Sequence, residues 1–197
     1  MEQLQPNDSL KIIQEIINKR KQKYEQNGFF FIFWGVLIML AGTIHFLMYQ
    51  FDFHFNKSGL VWLILMPLGF IFTFIAKMRE GIKAEKQGKS IDWMGWLWLV
   101  AGIGAMVGGF TQSSKWIIVL IYLPFAMASL TTALQLKNRL WIVSSVISFA
   151  LVYSTLFINY GYYTILITVV LAALLFLIPG IQLHSDYKKK KQKCLKI

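Results

Sequence analysis

The chain reads as all-α: a polytopic membrane bundle of six helices arranged as three antiparallel hairpins, preceded by an amphipathic interfacial helix. Three observations predict this. Of 197 residues, 56% are hydrophobic and only 15% charged, against about a quarter charged in soluble domains. Six apolar stretches, at 29–51, 59–76, 93–110, 116–136, 140–158 and 163–183, hold no Asp, Glu, Lys or Arg, and each has the length that about 30 Å of hydrocarbon demands of a helix. The cations alternate between the connections. Eighteen of the 20 Lys and Arg residues fall in the N-terminus, the 77–92 and 137–139 connections and the tail, leaving only Lys57 and Lys115 elsewhere. Short basic segments resist translocation, so this asymmetry places both termini in the cytoplasm.

The N-terminal segment 1–28 opens on an expected amphipathic helix over 8–26, with Pro6 before it and Asn7, Asp8 or Ser9 as cap. Leu10, Ile12, Ile13, Ile16 and Ile17 cover one arc, with Lys11, Gln14, Glu15 and Asn18 opposite. Lys19, Arg20, Lys21 and Lys23 follow, suiting a helix that rests on the inner leaflet with its ammonium groups near anionic lipid headgroups. The same stripe also fits a groove on a protein partner. Because the first apolar run begins only at Phe29, the N-terminus is expected to be retained rather than cleaved as a signal peptide.

The six stretches form the expected transmembrane domain 29–183. The first carries His45 near its outer end, followed by Asp52 and His54, residue types that bind transition metals. His45 and Asp52 are seven apart, which separates them by about 10 Å along an unbroken helix. One ion therefore cannot take both without unwinding, and an interhelical hydrogen bond is the plainer role for His45. The even stretches contain Pro67, Pro124 and Pro179, and the odd ones open on aromatics, Trp34, then Trp93 and Trp96, then Trp141. The pattern raises a triplicated hairpin, of the kind found in membrane carriers.

The third stretch is smooth, with Gly102, Gly104, Gly108 and Gly109 beside Ala101 and Ala105. Gly104-x-x-x-Gly108 permits close helix approach, within the chain or between copies in a homo-oligomer, and a permeation lining is the further alternative for this stretch. The fourth and fifth stretches are rich in hydroxyls: Ser129, Thr131, Thr132 and Gln135, then Ser144, Ser145, Ser148, Ser154 and Thr155. Such groups bond to the preceding turn or across a helix pair. Alternatively, Ser129, Thr132, Ser144 and Ser148 line a polar path, with Pro124 freeing carbonyls beside it. The basic tail 184–197 carries Lys188, Lys189, Lys190 and Lys191 directly after the last stretch, a headgroup-binding arrangement. It lacks the arginine forks and interleaved aromatics of nucleic-acid readers. Cys194 is the sole cysteine, so no internal disulfide forms, and Lys196 stands where a prenylation box needs an aliphatic residue.

No nucleophile elbow, zinc-protease pair or phosphate-cradling loop occurs in the sequence, and no cofactor or catalytic residue is assigned. The stretches lack the ionisable residues that energised carriers and voltage sensors use. Over residues 8–51, and most clearly at Asn27-Gly28-Phe29-Phe30-Phe31-Ile32-Phe33-Trp34-Gly35, the chain resembles small multi-spanning bacterial inner-membrane proteins of uncharacterised activity. The resemblance implies location and threading, not chemistry. The function expected is a non-enzymatic scaffold or regulatory subunit holding a cytoplasmic or membrane partner. A passive facilitator for a small solute, through the fourth and fifth stretches, is the alternative.

Overall fold

Apolar runs without charge satisfy their backbone polar groups most economically as helices, whose hydrogen bonds stay within the segment. The computed structural model describes residues 10, 12, 28–51, 59–85, 93–109 and 116–194, and among these the regular structure is entirely helical, in six principal helices. They are α1 Gly28–Gln50, α2 Leu60–Glu85, α3 Trp93–Gly109, α4 Ile117–Gln135, α5 Arg139–Phe157 and α6, residues 161–194. Of the segment 8–26, only Leu10 and Ile12 lie within the described residues; both are helical and exposed.

Four helices are long and apolar enough to cross a membrane: Gly28–Gln50, Ile117–Gln135, Arg139–Phe157 and Gly161–Lys189. The apolar parts of α2 and α3, Leu60–Ala76 and Gly95–Gly109, are shorter. Charge does not stop α2, which continues beyond Ala76 to Glu85. Likewise α6 carries the helix into the basic tail as far as Cys194, so the tail begins as an extension of the last helix.

Glycine decides which helices meet most closely. Gly28, Gly35 and Gly42 recur every seventh residue of α1, two helical turns apart and hence on one face. That face meets α6. A methyl group on Gly35 would stand 2.9 Å from Leu177 N, and one on Gly42 would stand 2.8 Å from Val169 Cγ2. From the other side, a methyl on Gly180 would come within 2.7 Å of Ile32 N. The two backbones therefore run antiparallel at a separation that only glycine allows. Leu171, Ala172 and Leu175 of α6, Val152 of α5, Ala126 of α4 and Ala41 of α1 are fully buried around this seam.

The helix α6 is not uniform. A 3₁₀ turn, Gly161–Tyr163, leads into α-helix Thr164–Ala172, then a π-turn over Ala173–Leu177, then α-helix Ile178–Cys194. The π-turn ends two residues before Pro179. Proline has no N–H and its ring crowds the carbonyl four residues back, here that of Leu175. The wider turn, with Ile178 N–H donating to Ala173 O, takes the helix past that position while Pro179 stays fully buried. The π-helix, rare in proteins, appears mostly as such a single-turn bulge inside an α-helix.

Aromatic rings gather at the two ends of the bundle. Phe31 of α1 meets Trp98 of α3 and Trp141 of α5 edge to face, with centroids 4.9 and 5.4 Å away. Phe176 and Phe125 extend this cluster through Trp98. At the other end of α1, Phe46 and Tyr49 stack on Tyr162 at 6.0 and 5.6 Å.

Candidate functional site

Indole nitrogens organise the polar interior. Trp34 of α1 donates Nε1–H to Thr73 Oγ1 of α2 at 3.1 Å, and Thr73 passes its own proton to Gly69 O. Trp98 of α3 repeats the arrangement on α4, donating to Thr132 Oγ1 at 3.1 Å while Thr132 donates to Ala128 O at 2.7 Å. Trp141 of α5 donates to Ser129 Oγ of α4 at 2.7 Å, and Ser129 shares a proton with Ser145 Oγ of α5 at 2.8 Å. A buried N–H without an acceptor costs about 1–3 kcal/mol, so each bond ties one helix to its neighbour at a fixed height.

Of the four residues expected to line a polar path, Ser129 faces α5 through Trp141 and Ser145, Thr132 accepts from Trp98 of α3, and Ser144 and Ser148 bond back to their own helix. Ser129, Thr132 and Ser148 are fully buried and Ser144 nearly so. Ser144 donates to Trp141 O at 2.9 Å and Ser148 to Ser144 O at 2.8 Å. Every one of the four has a protein partner. The Gly104-x-x-x-Gly108 pair also packs inside the chain, against α4. A methyl on Gly108 would lie 3.0 Å from the Leu120 carbonyl carbon, whereas one on Gly104 would meet Pro124 Cγ at an ordinary 3.7 Å.

At the far end of the first helix pair, Trp62 of α2 donates to His45 Nδ1 at 2.9 Å. The accepting nitrogen is unprotonated, so the bond describes a neutral imidazole with its proton on Nε2. Asp52 and His54 lie outside the described residues, among which no three His, Cys, Asp or Glu side chains gather for a metal. Lys19 and Arg20 also lie outside them, as do the side chains of Lys190, Lys191 and Cys194. Lys188 and Lys189 are exposed on α6.

A cleft opens where the α4–α5 turn faces α6. The turn is short because one residue serves both helices. Lys137 N–H bonds Leu134 O and Asn138 N–H bonds Ala133 O, the paired bonds of a Schellman ending. Asn138 then caps α5, its Oδ1 accepting from Trp141 N at 3.2 Å. The geometry forces Lys137 to φ 54°, a left-handed conformation normally given to glycine. The cleft, about 250 Å³, is lined by Lys137, Asn138, Arg139, Gln182 and Asp186 over Leu136 and Leu183. Gln182 Oε1 is buried there without a hydrogen-bond partner. A second hollow of about 430 Å³ adjoins it, sharing Gln182 and Asp186 and bordered by Leu140, Ile178 and Ile181.

Several of these participants escape a reading of the sequence. Trp62, Trp98 and Thr73 are ordinary residues of apolar helices until a partner far along the chain is known. Gln182 and Asp186 are separated from Lys137 by the whole of α5. The seven-residue spacing of Gly28, Gly35 and Gly42 is the one signal that was open to inspection. In comparisons with known proteins, the chain matches no family model, no curated protein and no solved structure.

Proposed function

We propose that the chain is an integral protein of a bacterial inner membrane, crossing it six times as three hairpins with both ends cytoplasmic. It acts there as a non-enzymatic scaffold or regulatory subunit that holds a cytoplasmic or membrane partner. The observation that carries this reading is the closed polar seam between α4 and α5. A facilitator would turn Ser129, Thr132, Ser144 and Ser148 toward a solute, yet all four are buried and bonded to protein groups. Such an interior suits a body that keeps its shape while its surface does the work.

Two further features support the assignment. The outward apolar side chains, such as Leu63 and Phe74 of α2 at 64% and 66% exposure, are at home against lipid tails. Arg79, Lys137, Arg139, Lys188 and Lys189 lie toward the ends of α2, α4, α5 and α6 that the cation pattern assigns to the cytoplasm, giving that face a surplus of positive charge. A partner with an acidic surface, or a membrane helix with a complementary face, fits it.

The test is photo-crosslinking in cells from probes placed singly along 8–26. A single defined protein adduct is the expected result. Adducts to lipid and to the chain itself alone would refute the scaffold reading.

A further inference from the structure

We infer that the paired hollows beside the α4–α5 turn form a binding site for one phospholipid, whose headgroup carries N–H or O–H donors as well as phosphate. The inference depends on the chain residing in a membrane and is independent of any protein partner.

The polar hollow is built for two opposite demands. Lys137 and Arg139, both exposed, bring two cations to its rim, and the start of α5 adds the positive end of a helix dipole. Arg139, the first residue of α5, therefore adds like charge to a positive pole, an arrangement that an anion relieves. Lys137 holds its charge at a backbone position where glycine would fit without strain. Phosphate meets this rim.

Deeper in, the lining changes sign. Gln182 Oε1 is buried and lacks a donor, and the Asp186 carboxylate lines the same wall. Both are acceptors, so they repel a bare phosphate and favour a group that supplies protons. An ethanolamine ammonium or the hydroxyls of a glycerol headgroup satisfy them; a choline trimethylammonium has no N–H to give. The adjoining hollow continues past Gln182 along Leu140, Ile178 and Ile181, exposed by 51%, 37% and 53%, with Ser185 and Lys189 completing its lining beside Asp186. This is a wall for an acyl chain leaving the headgroup toward the hydrocarbon. Cations, unpaired acceptors and an apolar border thus lie side by side, within reach of the phosphate, the headgroup donors and an acyl chain of one phospholipid.

The experiment uses the full chain, purified in detergent, stripped of lipid and titrated in native mass spectrometry. The probes are phosphatidylethanolamine, phosphatidylglycerol and phosphatidylcholine of identical acyl composition, with inorganic phosphate and glycerol 3-phosphate as competitors. One ethanolamine or glycerol lipid per chain is expected, retained about tenfold better than the choline lipid, the discrimination that one or two buried hydrogen bonds provide. Lys137→Gly and Arg139→Gln should each weaken retention by about tenfold. Lys137→Gly suits the left-handed backbone, so a loss of lipid without a loss of thermal stability cannot be unfolding. Gln182→Leu should keep binding but lose the preference over phosphatidylcholine. Equal retention of all three lipids, indifference to the two cation variants, or displacement by millimolar inorganic phosphate would overturn the inference. Resistance of each variant to alkaline extraction from membranes reports residence separately, and the crosslink from 8–26 reports the partner separately.

Discussion

The indole of Trp141 and the hydroxyl of Ser129 are joined across α4 and α5 by a 2.7 Å hydrogen bond, both residues being fully buried. The pair is the centre of the polar seam, because Ser129 also engages Ser145. Ser129→Ala leaves the indole N–H without its acceptor and should cost about 1–2 kcal/mol. Ser145→Ala should cost less, since Trp141 keeps its partner. In a double-mutant cycle, Trp141→Phe and Ser129→Ala should couple by about 1 kcal/mol, measured by unfolding in mixed detergent. Strict additivity would show that the two residues are neighbours only.

The glycines divide into those that face backbone and those that face space. Gly35→Ala and Gly180→Ala place a methyl 2.9 Å from Leu177 N and 2.7 Å from Ile32 N, and each should destabilise by about 1–3 kcal/mol through forced separation of α1 and α6. Gly104→Ala meets nothing nearer than 3.7 Å and should be neutral, or stabilise by up to about 1 kcal/mol through helix propensity. Thermal midpoints of the three variants, compared side by side, check the contrast.

The helices were readable because their signal is local. Charge-free apolar length marks them, and the limits of that signal appear where α2 runs on to Glu85 and α6 to Cys194. There, backbone bonding continues after hydrophobicity has ended. The hydroxyls of the fourth and fifth stretches were legible as a group, but their engagement was not, since it depends on Trp98 and Trp141 arriving from other helices. Pro179 stood out only as one of three prolines in the even stretches, and a kink, a break or a π-turn all satisfy a proline. The seven-residue glycine series in α1 was visible without its meaning, which requires knowing that α6 is the partner. The cleft at Lys137 had no local signature, because its acceptors lie more than forty residues away.

Lys137 should be improvable. At φ 54° a β-carbon is strained, and Lys137→Gly should raise stability by about 1 kcal/mol, the left-handed penalty of a non-glycine residue. Lys137→Ala keeps the strain and should not. A melting comparison of the two in detergent decides it, and a lower midpoint for the glycine variant would show that the ammonium stabilises the fold more than the backbone is strained.

His45 should behave as a hydrogen-bond acceptor. Its Nδ1 is occupied by Trp62 at 2.9 Å, so His45→Phe should cost about 1 kcal/mol by stranding the indole N–H. Added Zn²⁺ should shift the midpoint of the unmodified chain and of His45→Phe equally, since a specific ion stabilises only where it binds. A Zn²⁺-dependent rise that His45→Phe abolishes would restore the metal reading.

The threading itself is open to direct measurement, because Cys194 is the only cysteine. An impermeant maleimide is applied to intact spheroplasts bearing native Cys194, and to Cys194→Ser chains carrying Ser9→Cys, Lys57→Cys or Lys115→Cys. With both ends cytoplasmic, Cys194 and Ser9→Cys react only after the membrane is opened, while Lys57→Cys and Lys115→Cys react at once. Opposite accessibility of Ser9→Cys and Cys194 would contradict that threading.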